Sequence, residues 1–207
     1  MGKTMTITAE MVKSLRETTG AAVLDCKNAL VETQGDVEKA KAILEEKGLA
    51  IARKKADREA HEGKVETYTH PGGRVGVMLE VNCETDFVAN TDQFQKFVHD
   101  LALHLAFAAP KYLAREDVPA EMVAAQSAAY RREAETSGKP ANVIDRIVEG
   151  KMEKFFQEIC LLEQPFVRDE DIRVGDLVVR MVAELKENVV IRRFARFELG
   201  ESRSEDA

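Results

Sequence analysis

The amino-acid sequence predicts an α+β fold: an N-terminal three-helix block, then a three-stranded antiparallel sheet with helices and a protruding antiparallel helical hairpin. Three observations carry this. Apolar residues recur at helical spacing through residues 6–50, 91–109 and 141–159. From Gly63 the period drops to two, in alternating runs that flank a Pro71-Gly72-Gly73 turn. A last alternating run occupies Asn188 to Leu199. Strand, strand, helix, helical hairpin and strand in that order suit an antiparallel layer covered by helices.

The helical block reads as follows. Thr8 caps a first helix with Met11, Val12 and Leu15 on one face, and Ile7 stands where a hydrophobic staple packs. Thr18-Thr19-Gly20 breaks it. A second helix carries Val23, Leu24, Cys26, Ala29 and Leu30 and ends at Gly35, a C-terminal glycine. Asp36 caps a third, with Val37, Ala40, Ile43 and Leu44 inward, and Gly48 is expected to stop it. Residues 1–50 are therefore assigned to a helical domain and 51–62 to a basic linker or helix containing Arg53, Lys54, Lys55 and Arg58.

The core is assigned to residues 63–200. Val65, Thr67 and Thr69 alternate with Glu66, Tyr68 and His70 before the turn. Val75, Val77, Leu79 and Val81 share one parity after it, with Met78 on the other. Phe94, Phe97, Val98, Leu101, Leu105 and Ala108 mark a helix near 91–109, ended by Pro110. Helices near 120–136 and 141–159 flank Ser137-Gly138-Lys139-Pro140 and form a hairpin over about 120–159. A loop after Gln164-Pro165-Phe166, a helix near 174–185 and the last strand follow. The polar tail, 201–207, is expected to be disordered.

Composition removes several function classes. With 30 basic and 37 acidic residues the net charge is −7, a poor basis for direct nucleic-acid binding. Aromatics are 6% and Trp is absent, which argues against stacking platforms. No apolar run is long enough to span a membrane, and the N-terminus lacks the apolar stretch of a signal peptide. A cytoplasmic location is expected.

Catalytic chemistry finds little support. Cys26, Cys83 and Cys160 form no CxxC pair, and His61, His70, His99 and His104 form no HExxH pattern. Phosphate-loop and nucleophile-elbow motifs are absent. Cys83 and the pair Glu84 and Asp86 are weak catalytic candidates, and neither an enzyme, a metal nor a cofactor is expected. The unusual feature is Thr85-Asp86-Phe87-Val88-Ala89, directly after a strand. Phe87 is either core or an aromatic wedge, beside a carboxylate, offered to a partner.

Four segments resemble the family of bacterial translation elongation factor Ts. They are Val12–Ala21 with Asp25–Leu30, Leu79–Ala89, Ser137–Pro140 with Val148–Met152, and Gln164–Val167. The resemblance implies a guanine-nucleotide exchange factor for elongation factor Tu, binding both its GDP-bound and its nucleotide-free form. It implies that the N-terminal block has a ubiquitin-associated-like fold and meets the partner's G domain through Lys13, Arg16, Val23, Leu24 and Lys27, with Lys54 and Lys55 as a following basic pair. It implies that Thr85, Asp86, Phe87, Val88 and Ala89 enter the partner near its Mg²⁺ and phosphate region. Long members of the family carry two related core subdomains. One αβ unit is present here, so a short-form member and a homodimer are expected. The rival reading, a ubiquitin-associated-type adaptor, accounts for the first segment alone.

Overall fold

A computed structural model describes residues 6–136 and 140–201. Residues 1–5, 137–139, where a hairpin turn is expected, and 202–207 lie outside the described residues. The predicted α+β class holds, with a three-stranded antiparallel sheet ordered β1-β2-β5. The chain divides into two compact units, one made of the chain up to Val65 with Glu80–Phe97 and Asp176–Arg192, the other of Glu66–Leu79, Val98–Gly175 and the chain from Arg193.

The first unit begins with helices α1 (Ala9–Thr19), α2 (Val23–Glu32) and α3 (Val37–Lys55). Their boundaries follow from local chemistry. The Thr8 hydroxyl accepts from Met11 N at 3.2 Å, and the Asp36 carboxylate accepts from Lys39 N at 3.1 Å. Gly20, at φ +68°, ends α1 in the left-handed region that glycine adopts without strain. Leu15, Cys26, Ala29, Leu30 and Ala40 are buried together with Val12 and Leu44. Val37, expected inward, is exposed, as are Val23 and Leu24. The expected stop at Gly48 is also corrected. Helix α3 runs through it to Lys55, because Leu49 to Lys55 are helix formers and one interior glycine costs only about 1 kcal/mol. Gly48 is buried, and a side chain there would meet Ala183 and Val179 of α8 (Val174–Leu185) at 3.7 and 3.9 Å.

Strands β1 (Glu62–Thr69) and β2 (Val75–Cys83) form the hairpin. His70 N donates to Val75 O and Gly73 N donates to His70 O, both at 2.9 Å, with Gly72 and Gly73 at positive φ. Alternation in β1 is real, but the covered side is Glu66, Tyr68 and His70, while Val65, Thr67 and Thr69 are exposed. After β2 come α4 (Asp86–Ala89) and α5 (Asp92–Ala108), and near the end β5 (Val189–Glu198).

The second unit contains α6 (Ala120–Glu135) and α7 (Ala141–Ile159), the arms of the helical hairpin. They close around Ala134, Ile144 and Val148, with Tyr130, Ile147 and Met152 against them. The segment expected to be loop after Phe166 instead contains β4 (Asp169–Arg173), paired antiparallel with β3 (Pro165–Phe166). A strand of two residues has no period to read.

Candidate functional site

The Thr85–Ala89 segment becomes one helical turn. Thr85 is extended (φ −130°, ψ 152°), and its hydroxyl accepts from Val88 N at 3.3 Å, opening α4. Asn90 closes it, donating to Asp86 O from its backbone at 3.1 Å and from its side chain at 2.8 Å. The turn is two-faced. Val88 and Ala89 are buried, while Asp86 is exposed and Phe87 is 79% exposed. Leaving a phenyl ring in water forgoes about 1.5–3 kcal/mol of burial. Held at a capped turn beside a carboxylate, the ring can fill a pocket on another surface.

Two carboxylates tie this turn to the α8–β5 junction. Glu187 Oε2 accepts from Glu84 N and Thr85 N, both at 3.0 Å, and its Oε1 accepts from the Thr85 hydroxyl at 2.6 Å. In return Glu84 Oε1 accepts from Asn188 N at 2.6 Å. Glu84 also meets Arg58 at 3.3 Å and Lys55 at 3.9 Å. Burial works to raise its carboxyl, but the Asn188 amide, Arg58 and Lys55 outweigh that and hold it below its ordinary value. The Asn188 side chain, itself buried, donates to Arg58 O at 2.8 Å. Gln95 donates to Ala89 O at 2.6 Å, securing the far end of the turn.

The resemblance-derived residues of the helical block fall into two groups. Lys13, Arg16, Val23 and Lys27 come together around an open concavity of about 440 Å³, lined also by Ile7, Thr8, Ala9 and Val12. Lys13 is paired loosely with Glu17 at 3.8 Å, and Arg16 and Lys27 are exposed. Leu24 is exposed outside that lining. Lys54 is exposed, whereas Lys55 turns inward to Glu84 with 13% of its side chain accessible. Val88 and Ala89 serve as anchors for the turn, and Asp86 and Phe87 are its accessible part. Residue types alone did not reveal Glu187 and Asn188, which lie about a hundred positions from the turn that they hold.

The weak catalytic candidates gain nothing. Burial first, and then the nearby Glu187 charge, push the Cys83 thiol up to about 11. Its sulfur donates to Thr85 O at 3.2 Å. A protonated, buried thiol is a poor nucleophile. Glu84 is engaged by Asn188, Arg58 and Lys55. Among the described residues no group of three or more His, Cys, Asp or Glu is placed to hold a metal ion. No described helix is long and apolar enough to cross a membrane.

Comparison with known proteins is consistent across the chain. The sequence pattern of the family described as "Elongation factor TS" matches residues 4–201. A curated elongation factor Ts from Caldanaerobacter subterraneus subsp. tengcongensis is 60% identical over 195 residues, covering 94% of this chain and 98% of the relative. The elongation factor Ts of Carboxydothermus hydrogenoformans is 57% identical, covering 94% and 90%. That of Herpetosiphon aurantiacus is 54% identical over 196 residues, covering 95% and 99%.

Proposed function

The chain belongs to the elongation factor Ts family, and from that premise we propose that it is a cytoplasmic guanine-nucleotide exchange factor in translation elongation, acting on elongation factor Tu. The observation that carries this reading is Phe87, 79% exposed on a turn whose other apolar residues are buried. Such a ring is offered to a partner.

An exchange factor makes and breaks no covalent bond. It binds the nucleotide-free partner better than the GDP-bound one, and by linkage GDP weakens the factor by the same ratio that the factor weakens GDP. Burying Phe87 in the complex contributes about 2–3 kcal/mol, the scale of a typical coupling between two sites, about 1–3 kcal/mol. Asp86 enters beside the ring, bringing negative charge toward the partner's Mg²⁺ and phosphate region. The concavity rimmed by Lys13, Arg16 and Lys27 supplies a second, electrostatic contact to the G domain, with Val23 and Leu24 as exposed apolar neighbours. Lys54 extends the basic surface.

The sheet supports a homodimer. In the second unit Met78, Phe197 and Leu199 are 54%, 72% and 65% exposed, alongside exposed Thr67 and Thr69. Leu199 N donates to Arg74 O at 2.8 Å, so the end of β5 runs beside the start of β2. An apolar sheet face of this kind is covered by a second copy of the chain.

The test is stopped-flow release of fluorescent GDP from elongation factor Tu. Phe87→Ala is expected to lower the stimulated rate by about tenfold or more with an unchanged circular dichroism spectrum. Full stimulation by the folded variant would remove Phe87 from the mechanism.

A further inference from the structure

Glu187 is a single side chain that satisfies three donors of one distant turn. Its carboxylate takes the amides of Glu84 and Thr85 at 3.0 Å each and the Thr85 hydroxyl at 2.6 Å. The same hydroxyl accepts from Val88 N at 3.3 Å, so the contact passes through Thr85 into the first turn of α4. The partner segment is fastened in the opposite direction, since Glu84 accepts from Asn188 N at 2.6 Å. Lys186, immediately before Glu187, sits at φ +59° while its amide donates to Val182 O at 3.0 Å. A non-glycine residue in that region costs about 1 kcal/mol, and this bend carries the chain from α8 into the residue that reaches the turn.

Four residues are too few for a helix to hold itself, because the first turn fixes several dihedrals for little hydrogen bonding. The buried Val88 and Ala89 fasten one side of α4. At the entry to the turn, the Glu187 carboxylate takes the Thr85 amide and hydroxyl, and the Cys83 thiol donates to Thr85 O. The direction of the Phe87 ring depends on the backbone of Thr85 and Asp86. A ring already aimed at its pocket spares the ordering cost that a loose turn incurs on binding.

We propose that Glu187 is a positioning residue for Phe87, clamping Glu84 and Thr85 so that the ring is presented in a fixed direction to the partner. The proposal rests on the exchange reading above and deepens it. Glu187 itself touches no nucleotide and acts through the turn.

A double-mutant cycle tests it in the full-length chain, with release of fluorescent GDP from elongation factor Tu as the readout. Glu187→Ala is expected to slow stimulated release about tenfold, the scale of losing a charged acceptor shared by several donors. Glu187→Gln keeps one acceptor oxygen and is expected to recover part of the rate. In the Phe87→Ala background, Glu187→Ala is expected to change the rate by less than about twofold, as for two residues acting as one unit. Equal slowing by Glu187→Ala in both backgrounds overturns the proposal, because a general structural defect adds in each. Slow release with Phe87→Ala but normal release with Glu187→Ala overturns this proposal alone. Normal release with Phe87→Ala removes Phe87 from the mechanism and this proposal with it, whereas no stimulation by the wild-type chain sinks the exchange reading itself. Amide hydrogen exchange at Glu84 and Thr85 is read in parallel, and unchanged protection in Glu187→Ala overturns the clamp independently of any rate. If Glu187→Ala fails to fold, Glu187→Gln carries the same comparison.

Discussion

Neighbouring residues of one type do different work in this protein. Lys54 is exposed at the end of α3, while Lys55 reaches Glu84 with 13% of its side chain accessible. The first is available to a partner; the second holds the scaffold around the Phe87 turn. Lys13 and Arg16 belong to the available group, on the rim of the concavity in the helical block. Charge reversal of both is expected to weaken association with elongation factor Tu by about tenfold or more at low salt, with a difference that shrinks as ionic strength rises. Titration calorimetry at several salt concentrations measures it, and a deficit independent of salt would count against an electrostatic contact. Among the cysteines, burial raises the Cys83 and Cys160 thiols to about 11 each, so these side chains behave as small core residues.

At the scale of elements, the helical hairpin is fastened at one end by Arg115. Its guanidinium binds Glu153 of α7 at 2.8 and 2.7 Å and Glu163 at 2.7 and 2.8 Å, and it lies over the Phe156 ring at 4.8 Å. Arg173 of β4 adds a contact to Glu163 at 3.2 Å. The hydrogen bonds from Arg115 are the leading reason that Glu153 and Glu163 titrate below their ordinary value of 4.5. A depressed carboxylate stabilises the folded state above its unfolded pKa and loses that contribution as pH falls through the folded value. Arg115→Lys cannot reproduce two forked contacts and is expected to cost about 1–2 kcal/mol at neutral pH. The gap from wild type is expected to narrow as pH falls from the ordinary glutamate value of 4.5 through the lowered values of the two folded-state carboxylates. Urea unfolding across pH checks this; a gap of constant size would show that Arg115 contributes by packing alone.

For the whole molecule, the exposed face of the sheet sets the expected oligomeric state. Met78 and Phe197 are large, apolar and exposed on unit-two strands, where water contact is unfavourable. Light scattering on the wild-type chain is expected to give twice the 23.1 kDa chain mass. Met78→Asp with Phe197→Asp is expected to give the monomer mass, since buried unpaired carboxylates oppose association. A wild-type monomer at micromolar concentration would dispose of the dimer.

Much of this architecture was written locally. The caps at Thr8 and Asp36, the Pro71-Gly72-Gly73 turn and the helical spacings of α5 and α7 each depend on residues within a few positions of one another. A short stretch of sequence therefore specifies them without reference to the remainder of the chain. The Thr85–Ala89 segment was recognisable too, although residue type alone left Phe87 as either core or wedge. Folding put that ring outside, turned Lys55 inward, carried α3 past Gly48 and chose Glu66, Tyr68 and His70 as the covered side of β1. It also brought Glu187 to Thr85 across 102 positions. Contacts at such separations have no period and no motif, because they depend on where packed elements place two chain segments in space.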